Sequence, residues 1–324
     1  GGAAAFTAQE DSLLATLSTG VDDAVVARSI TYGDELAAAI LVWAAADGTA
    51  DQALCQTNWT APVLPQDGGW TQVSGMAQPL LPCWGAMRTF VVTDSQECEA
   101  VGPPMFSTAT TSAWHAQALV VYSTTGDLGA NLSADQQDIG LYWSDGLAAP
   151  TATGTPPGHW IAITCQLADA EDLPLDVSAE AFARVGLAVA DAFITCWEEK
   201  YTTYLQRPET YIQTNIDANW TPLIGTPNFP TYTSGHSTQS AAAATVLTQM
   251  FGTYSFTDTC HSRLNPGSTL PADRTYTSFA AAASEAAVSR LYGGIHYGFD
   301  NYDGSDSGIC VGSVHNAALQ FLAP

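Results

Sequence analysis

The 324-residue chain carries 32 Asp plus Glu against 8 Lys plus Arg, a formal net charge of −24 at pH 7, with 46% hydrophobic and 12% charged residues. It is long enough for a large core, and its acidity, which comes from scarce cations, repels nucleic acid and anionic membrane surfaces and excludes both as partners. Diffuse attraction of anions is excluded too, so an anion must be caught by a local site.

No uninterrupted apolar stretch reaches the roughly 18–20 residues of a membrane span. No charged-then-apolar leader is visible at Gly1, so the chain reads as beginning after processing. In chain order, residues 34–46 read as a buried helix ending at Asp47-Gly48. Residues 55–104, rich in Pro, Gly and Trp, read as long loops. Residues 178–206 read as a long helix stopped by Pro208. Residues 222–233 are a Pro-rich loop, and residues 236–251 an Ala-rich helix ending at Gly252. A further helix covers residues 277–292 and halts at Gly293-Gly294; a last one starts near Ser307 and runs to Phe321. Residues 301–306 lack the spacing and terminal Glu of a calcium loop and read as a solvated acidic turn. Strand-like alternation is scarce, and neither a linker nor a repeat stands out. The expected architecture is therefore one all-α domain over residues 1–324, a helical bundle with long Pro/Gly-rich loops. Helices and loops fill residues 1–150, and a helical core fills about 155–322.

The seven cysteines (Cys55, Cys83, Cys98, Cys165, Cys196, Cys260, Cys310) contain no C-x2-C pair, which argues against a zinc site. Sequons stand at Asn58, Asn131 and Asn219, the last one followed by Pro222. With the acidity, these features predict a secreted, glycosylated protein with disulfides. An odd number of cysteines leaves one thiol free or intermolecular.

The chain's one lysine, Lys200, opens a K-x6-R-P segment that ends in Arg207 and Pro208. Two turns apart on a predicted helix, Lys200 and Arg207 face the same way and can converge on one anion. Ser234 occupies an N-cap position, Gly235 lets a ligand approach the backbone, and the free N–H groups there suit an oxyanion. His236, in the same first turn, is placed to exchange a proton with the bound group. Arg290 ends the next helix, His296 follows a Gly-Gly turn, and Asp300 comes four residues later. A carboxylate there can bond the far ring nitrogen of His296 and raise the basicity of the other, which suits a nucleophile or a metal ligand. His159, His261 and His315 have no clear partner spacing and read as structural.

The segments KYTTYLQRP, FPTYTSGHS and SRLYGGIHYGFD together resemble the signature of the type-2 phosphatidic acid phosphatase and vanadium haloperoxidase superfamily. The resemblance is strongest to soluble, secreted haloperoxidases, covers about residues 155–314 and includes PPGHW at 156–160. It implies vanadate as cofactor, with hydrogen peroxide, halide and an organic acceptor as partners. Lys200, Arg207, Arg290, Ser234 and Gly235 would hold the oxyanion. His296 would be the vanadium ligand, oriented by Asp300, and His236 the acid–base group. Trp197 and Phe229 fall where the family's chloroperoxidases carry aromatic residues, and would line a halide pocket. Thr233, Gln206 and Gly298 depart from residues common in the family and leave halide preference open.

Two other readings use the same residues. One is an acid phosphatase acting on phosphate esters through a phosphohistidine at His296. The other is a glycosylated extracellular structural protein on this fold, with room for self-assembly; a structural protein has no need of three intact motifs.

Overall fold

Among the described residues, side-chain caps start half of the α-helices, and glycines follow three of them. The computed structural model describes residues 2–62, 68–72, 78–145, 154–264 and 272–319, in two units, residues 1–50 and 51–324. The first unit holds α1 (Gly2–Leu17) and α2 (Asp23–Ala44), the latter capped by Asp22 accepting the Ala24 amide. The buried helix expected over residues 34–46 is the second half of this longer α2, and it is not buried: Leu36, Ile40, Leu41, Val42 and Trp43 are exposed. Neither α1 nor α2 has a buried residue, because an apolar pattern does not by itself supply a surface to cover it.

The second unit contains α3 (Gln52–Asn58), α4 (Ala113–Thr125), α5 (Ala134–Tyr142), α6 (Pro156–Ala170), α7 (Leu175–Thr203) and α8 (Pro208–Asn215). It continues with α9 (Gly235–Phe251), α10 (Cys260–Leu264), α11 (Phe279–Tyr292) and α12 (Gly298–Ala318). Among the described residues the only strands are β1 (Phe256–Asp258) and β2 (Arg274–Tyr276), an antiparallel pair with Phe256 opposite Tyr276. The all-α bundle read from the sequence is thus the fold. No helix of the described residues is long and apolar enough to cross a membrane. The sequon residues Asn58, Asn131 and Asn219 are all exposed.

The long loop before α4 is tied down from inside. The buried Asp191 carboxylate on α7 accepts the amides of Phe90 (2.7 Å), Val91 (2.8 Å) and Val92 (3.2 Å), and lies 2.9 Å from His315 Nε2 on α12. A Cys98–Cys310 disulfide adds a covalent clasp to α12, and Cys55–Cys83 closes a second loop. Cys165, Cys196 and Cys260 are free, so three thiols stand where the odd count suggested one. Cys196 shows why: its buried Sγ bonds the Thr233 carbonyl at 3.4 Å and faces no second cysteine.

Helix α9 is central, packed by α7, α11 and α12. Its run Ala241, Ala242, Ala243 and Ala244 is buried, as suits a helix covered all round. Helix α12 starts at Gly298, nine residues before the start expected at Ser307, so the segment read as an acidic turn is helical. Glycines at 304, 308 and 312 line its contact with α9. A Cβ on Gly308 would lie 2.1 Å from the Thr238 carbonyl oxygen, and one on Gly312 2.6 Å from Thr245 Cβ. Glycine disfavours a helix by about 1 kcal/mol relative to Ala, which makes the segment look like a loop; backbone contact with α9 offsets that cost.

Helix α7 ends at Thr203, because Tyr204 turns left-handed (φ 51°). The chain then pairs briefly with residues 68–70, Gln206 N–H donating to the Gly68 carbonyl and Trp70 N–H to that of Tyr204. Pro208 opens α8 and holds Arg207 extended as its N-cap (φ −72°, ψ 156°). Lys200 and Arg207 therefore do not share one helix, as the spacing had predicted; they sit on either side of a break.

Gly308→Ala is expected to destabilise the protein by about 1–3 kcal/mol through overpacking, read as a lower Tm. Gly186→Ala, with nothing within 4 Å of the new Cβ, should stabilise α7 by about 0.5–1 kcal/mol. Identical Tm values for both variants would contradict this packing. In denatured, unreduced protein, alkylation should reach Cys165, Cys196 and Cys260; labelling of Cys98 or Cys310 would contradict the clasp.

Candidate active site

Five helix ends meet around His296. The C-terminal turns of α7 and α11 bring Lys200 and Arg290, and the N-termini of α8, α9 and α12 bring Arg207, Ser234 to His236, and Asp300. Lys200 and Arg290 thus sit at the carbonyl ends of helices, where the local dipole favours a cation, while Arg207 is the N-cap of α8. The side chains of Lys200, Arg207, Ser234, Arg290, His296 and Asp300 are all buried.

His296 is held in one orientation. Its Nδ1 lies 2.8 Å from Asp300 Oδ2, which also accepts the Tyr297 amide (3.0 Å) and the Thr231 hydroxyl. Its Nε2 lies 2.9 Å from Arg207 Nη1. Arginine only donates, so Nε2 accepts, and the proton of the neutral ring sits on Nδ1. Burial, then the charges of Arg207, Lys200 and Arg290, hold this ring well below the usual imidazole pKa. The result is a neutral histidine with an Nε2 lone pair among cations. Burial raises Asp300 to about 6.

Arg207 Nε donates to the Phe229 carbonyl and Nη1 also to that of Ile295, both at 2.9 Å. Burial pushes this guanidinium down to about 9. Lys200 Nζ donates to the carbonyls of Pro230 (3.1 Å), Thr231 (2.9 Å) and Thr233. It clamps the Pro-rich loop and brings its charge to the site from behind it. Burial pushes the ammonium down to about 8. Arg290 Nη1 donates to the Trp143 carbonyl at 2.8 Å, and burial lowers it to about 10.

Ser234 caps α9 as expected, its Oγ accepting from Ser237 N–H at 3.4 Å. Its own amide donates to the Asp300 carbonyl at 3.0 Å, so the helix-start amides open to a ligand begin at Gly235. Gly235 is needed for packing: a Cβ there would lie 3.3 Å from the Trp197 ring and 3.4 Å from that of Phe193. Trp197 and Phe229 do meet, with ring centroids 5.0 Å apart, and Lys200 Nζ lies 5.7 Å and 5.2 Å from those centroids. His236 Nε2 lies 3.9 Å from Asp145 Oδ2. Burial, then Arg290 and His159, hold its ring well below the usual pKa, so it too is neutral.

Sequence reasoning missed Thr231 and Asp145. Thr231 sits inside the FPTYTSGHS segment, where its hydroxyl was open to notice. Asp145 is 91 residues from His236 and left no local signal.

Arg207 Nη2, Arg290 Nε and His236 Nε2 are buried polar atoms without a partner among the described residues. Leaving buried charged donors unpaired is costly. A small tetrahedral oxyanion supplies the missing acceptors, so the donor set fits vanadate or phosphate.

The family model of the VCPO second helical-bundle domain matches residues 180–323. Among solved structures, a bacterial vanadium-dependent iodoperoxidase is 33% identical over 98% of this chain and 75% of its own, with a TM-score of 0.83. The chain belongs to the vanadium-dependent haloperoxidase family. Holo and apo forms of a bacterial vanadium-dependent chloroperoxidase are 15% identical, with TM-scores of 0.60, and share the fold. They align over 80% and 81% of this haloperoxidase and 64% and 65% of their own chains. A search of curated proteins finds no match.

Arg207→Ala is expected to weaken inorganic phosphate binding roughly 10- to 150-fold, the loss of one charge-assisted hydrogen bond of about 1.5–3 kcal/mol. Unchanged phosphate affinity by calorimetry would place the anion elsewhere.

Proposed function

We propose that this haloperoxidase holds vanadate at His296 Nε2 and uses hydrogen peroxide to oxidise halide, iodide foremost, for transfer to an organic acceptor. One observation carries the reading: the Nε2 lone pair of His296, its tautomer fixed by Asp300, lies among buried cations, of which Arg207 Nη2 and Arg290 Nε have no acceptor among the described residues. The iodide assignment draws on the 33%-identical relative, itself an iodoperoxidase, and on iodide being the most easily oxidised of the common halides.

When bound, vanadate supplies a Lewis acid that activates peroxide toward halide without changing its own redox state. The remaining work falls to the protein. Arg207 and Arg290 donate to the anion's oxygens, and Lys200 adds charge from behind the 230–233 carbonyls. Ser234 Oγ and the Gly235 amide add donors at the α9 N-terminus. Asp300 keeps the proton of His296 on Nδ1, so that Nε2, which here accepts from Arg207 Nη1, carries the lone pair for ligation. Neutral His236 takes a proton from incoming peroxide and returns it to the departing oxygen. Trp197 and Phe229 give halide an apolar wall with the Lys200 charge behind it. Two disulfides and three exposed sequons, at Asn58, Asn131 and Asn219, support an extracellular, glycosylated protein.

Vanadate-loaded protein should oxidise iodide with peroxide, lose that activity on vanadate removal and recover it on reloading. Phosphate-ester turnover without halide oxidation after loading would overturn the reading in favour of a phosphatase. The two histidines should fail differently. His296→Ala should lose stable vanadate loading in equilibrium dialysis. His236→Ala should keep vanadate and lose about 10²–10⁴-fold in turnover. The reverse pattern would exchange their roles.

A further inference from the structure

His159 lies outside the three motifs, and its sequence neighbours assign it no role. It sits in the first turn of α6, 1% exposed, with a carboxylate at each ring nitrogen. Nδ1 is 3.0 Å and 3.1 Å from the two Asp145 oxygens, and Nε2 is 2.6 Å from Asp258 Oδ2. A neutral imidazole donates from one nitrogen only. Two ionised carboxylates at these distances require a proton on both, so the ring is an imidazolium. Asp258 is a firm anchor, since its other oxygen accepts from the Cys260 amide (2.9 Å) and Gln166 Nε2 (3.2 Å). Burial by itself would lower the His159 pKa; Asp145 and then Asp258 overcome it and hold the ring at about 10.

The clamp reaches the active site along two lines. Asp145 Oδ2, bonded to His159, is also the carboxylate oxygen 3.9 Å from His236 Nε2. The Trp143 indole stacks on the His159 ring, with centroids 4.4 Å apart and planes 21° off parallel, a cation–π arrangement. The carbonyl of the same Trp143 accepts from Arg290 Nη1. Around His159 and Asp145 the titratable groups are Asp258, Tyr142, Cys260, His261, His236 on α9 and Arg290 on α11.

We propose that His159 is a positioning residue of the haloperoxidase reaction: clamped as an imidazolium between Asp145 and Asp258, it fixes the carboxylate that faces His236 and the stacked Trp143 that holds Arg290. Without it, Asp145 loses the only hydrogen-bond partner that the described residues give its side chain. The carboxylate is then free to swing toward His236 or away from it. The inference rests on His236 being the group that moves a proton.

The test uses the full chain. Apo-protein carrying ¹⁵N-labelled histidine should show, at pH 8, a ring protonated on both nitrogens, and His159→Gln should abolish that signal. A wild-type spectrum with every ring singly protonated overturns the proposal without any variant. In the peroxide–iodide assay, His159→Gln and Asp258→Asn should each lower kcat about 10- to 100-fold, the usual range for groups that orient a reacting shell. Vanadate affinity by dialysis should fall by less than turnover in both, since only the Trp143 line reaches a residue that holds the anion. In an Asp145→Asn background, His159→Gln should add less than its full loss, since the two share the Asp145 line and only the Trp143 line is left to lose; a fully multiplicative loss overturns the proposal. His236→Ala in the same assay separates the two failures. If it retains turnover, the proton-transfer assignment is wrong. If it loses turnover while His159→Gln matches wild type, only the positioning role is wrong.

Discussion

The Asp300 carboxylate joins three parts of the chain that have no other reason to share a position. It accepts from His296 Nδ1 before α12, from the Tyr297 amide at the helix start, and from Thr231 in the Pro-rich loop. Its backbone carbonyl accepts the Ser234 amide and so sets the start of α9. One residue thereby decides the tautomer of His296, the seat of the loop and the entry of the central helix. Its other oxygen, Oδ1, has no partner among the described residues. Burial raises its pKa to about 6, so the cations around it are part of what keeps it ionised.

Those cations are costly to bury. Lys200, Arg207 and Arg290 lie close enough to depress one another and the two motif histidines. The fold tolerates this by giving several of their donors to backbone carbonyls: Pro230, Thr231 and Thr233 for Lys200, Phe229 and Ile295 for Arg207, Trp143 for Arg290. The donors left over are the ones aimed at an anion. A chain with net charge −24 has little long-range pull on vanadate, so affinity must come from these short contacts in a low-dielectric pocket.

Preorganisation has its own support. Glycines at 304, 308 and 312 let α12 lie against α9, which brings the two helix starts that carry Asp300 and Ser234 together. Behind them, His159 and its two carboxylates form a second buried charge cluster at Asp145. Burial and the neighbouring cations keep His236 and His296 neutral, the state that the proposed ligation and proton transfer require.

The sequence by itself determined the fold class and pointed to residues that the structure gathers around His296. The helical periods, the Gly252 and Gly293-Gly294 stops and the three motifs are local patterns, set by propensity and spacing. It misjudged α12, because Gly, Asp and Ser favour loops unless a neighbouring backbone rewards the missing side chains, and that neighbour is 60 to 70 residues away. It misjudged the exposure of α2, since an apolar pattern does not say what will cover it. It placed Lys200 and Arg207 on one helix, where Tyr204 and the contact with residues 68–70 break it. Only the tertiary structure decided which nitrogen of His296 is free, that Lys200 clamps a loop, and that Asp145 and His159 stand behind His236. Those are contacts between residues far apart in the chain, and their geometry is set by packing.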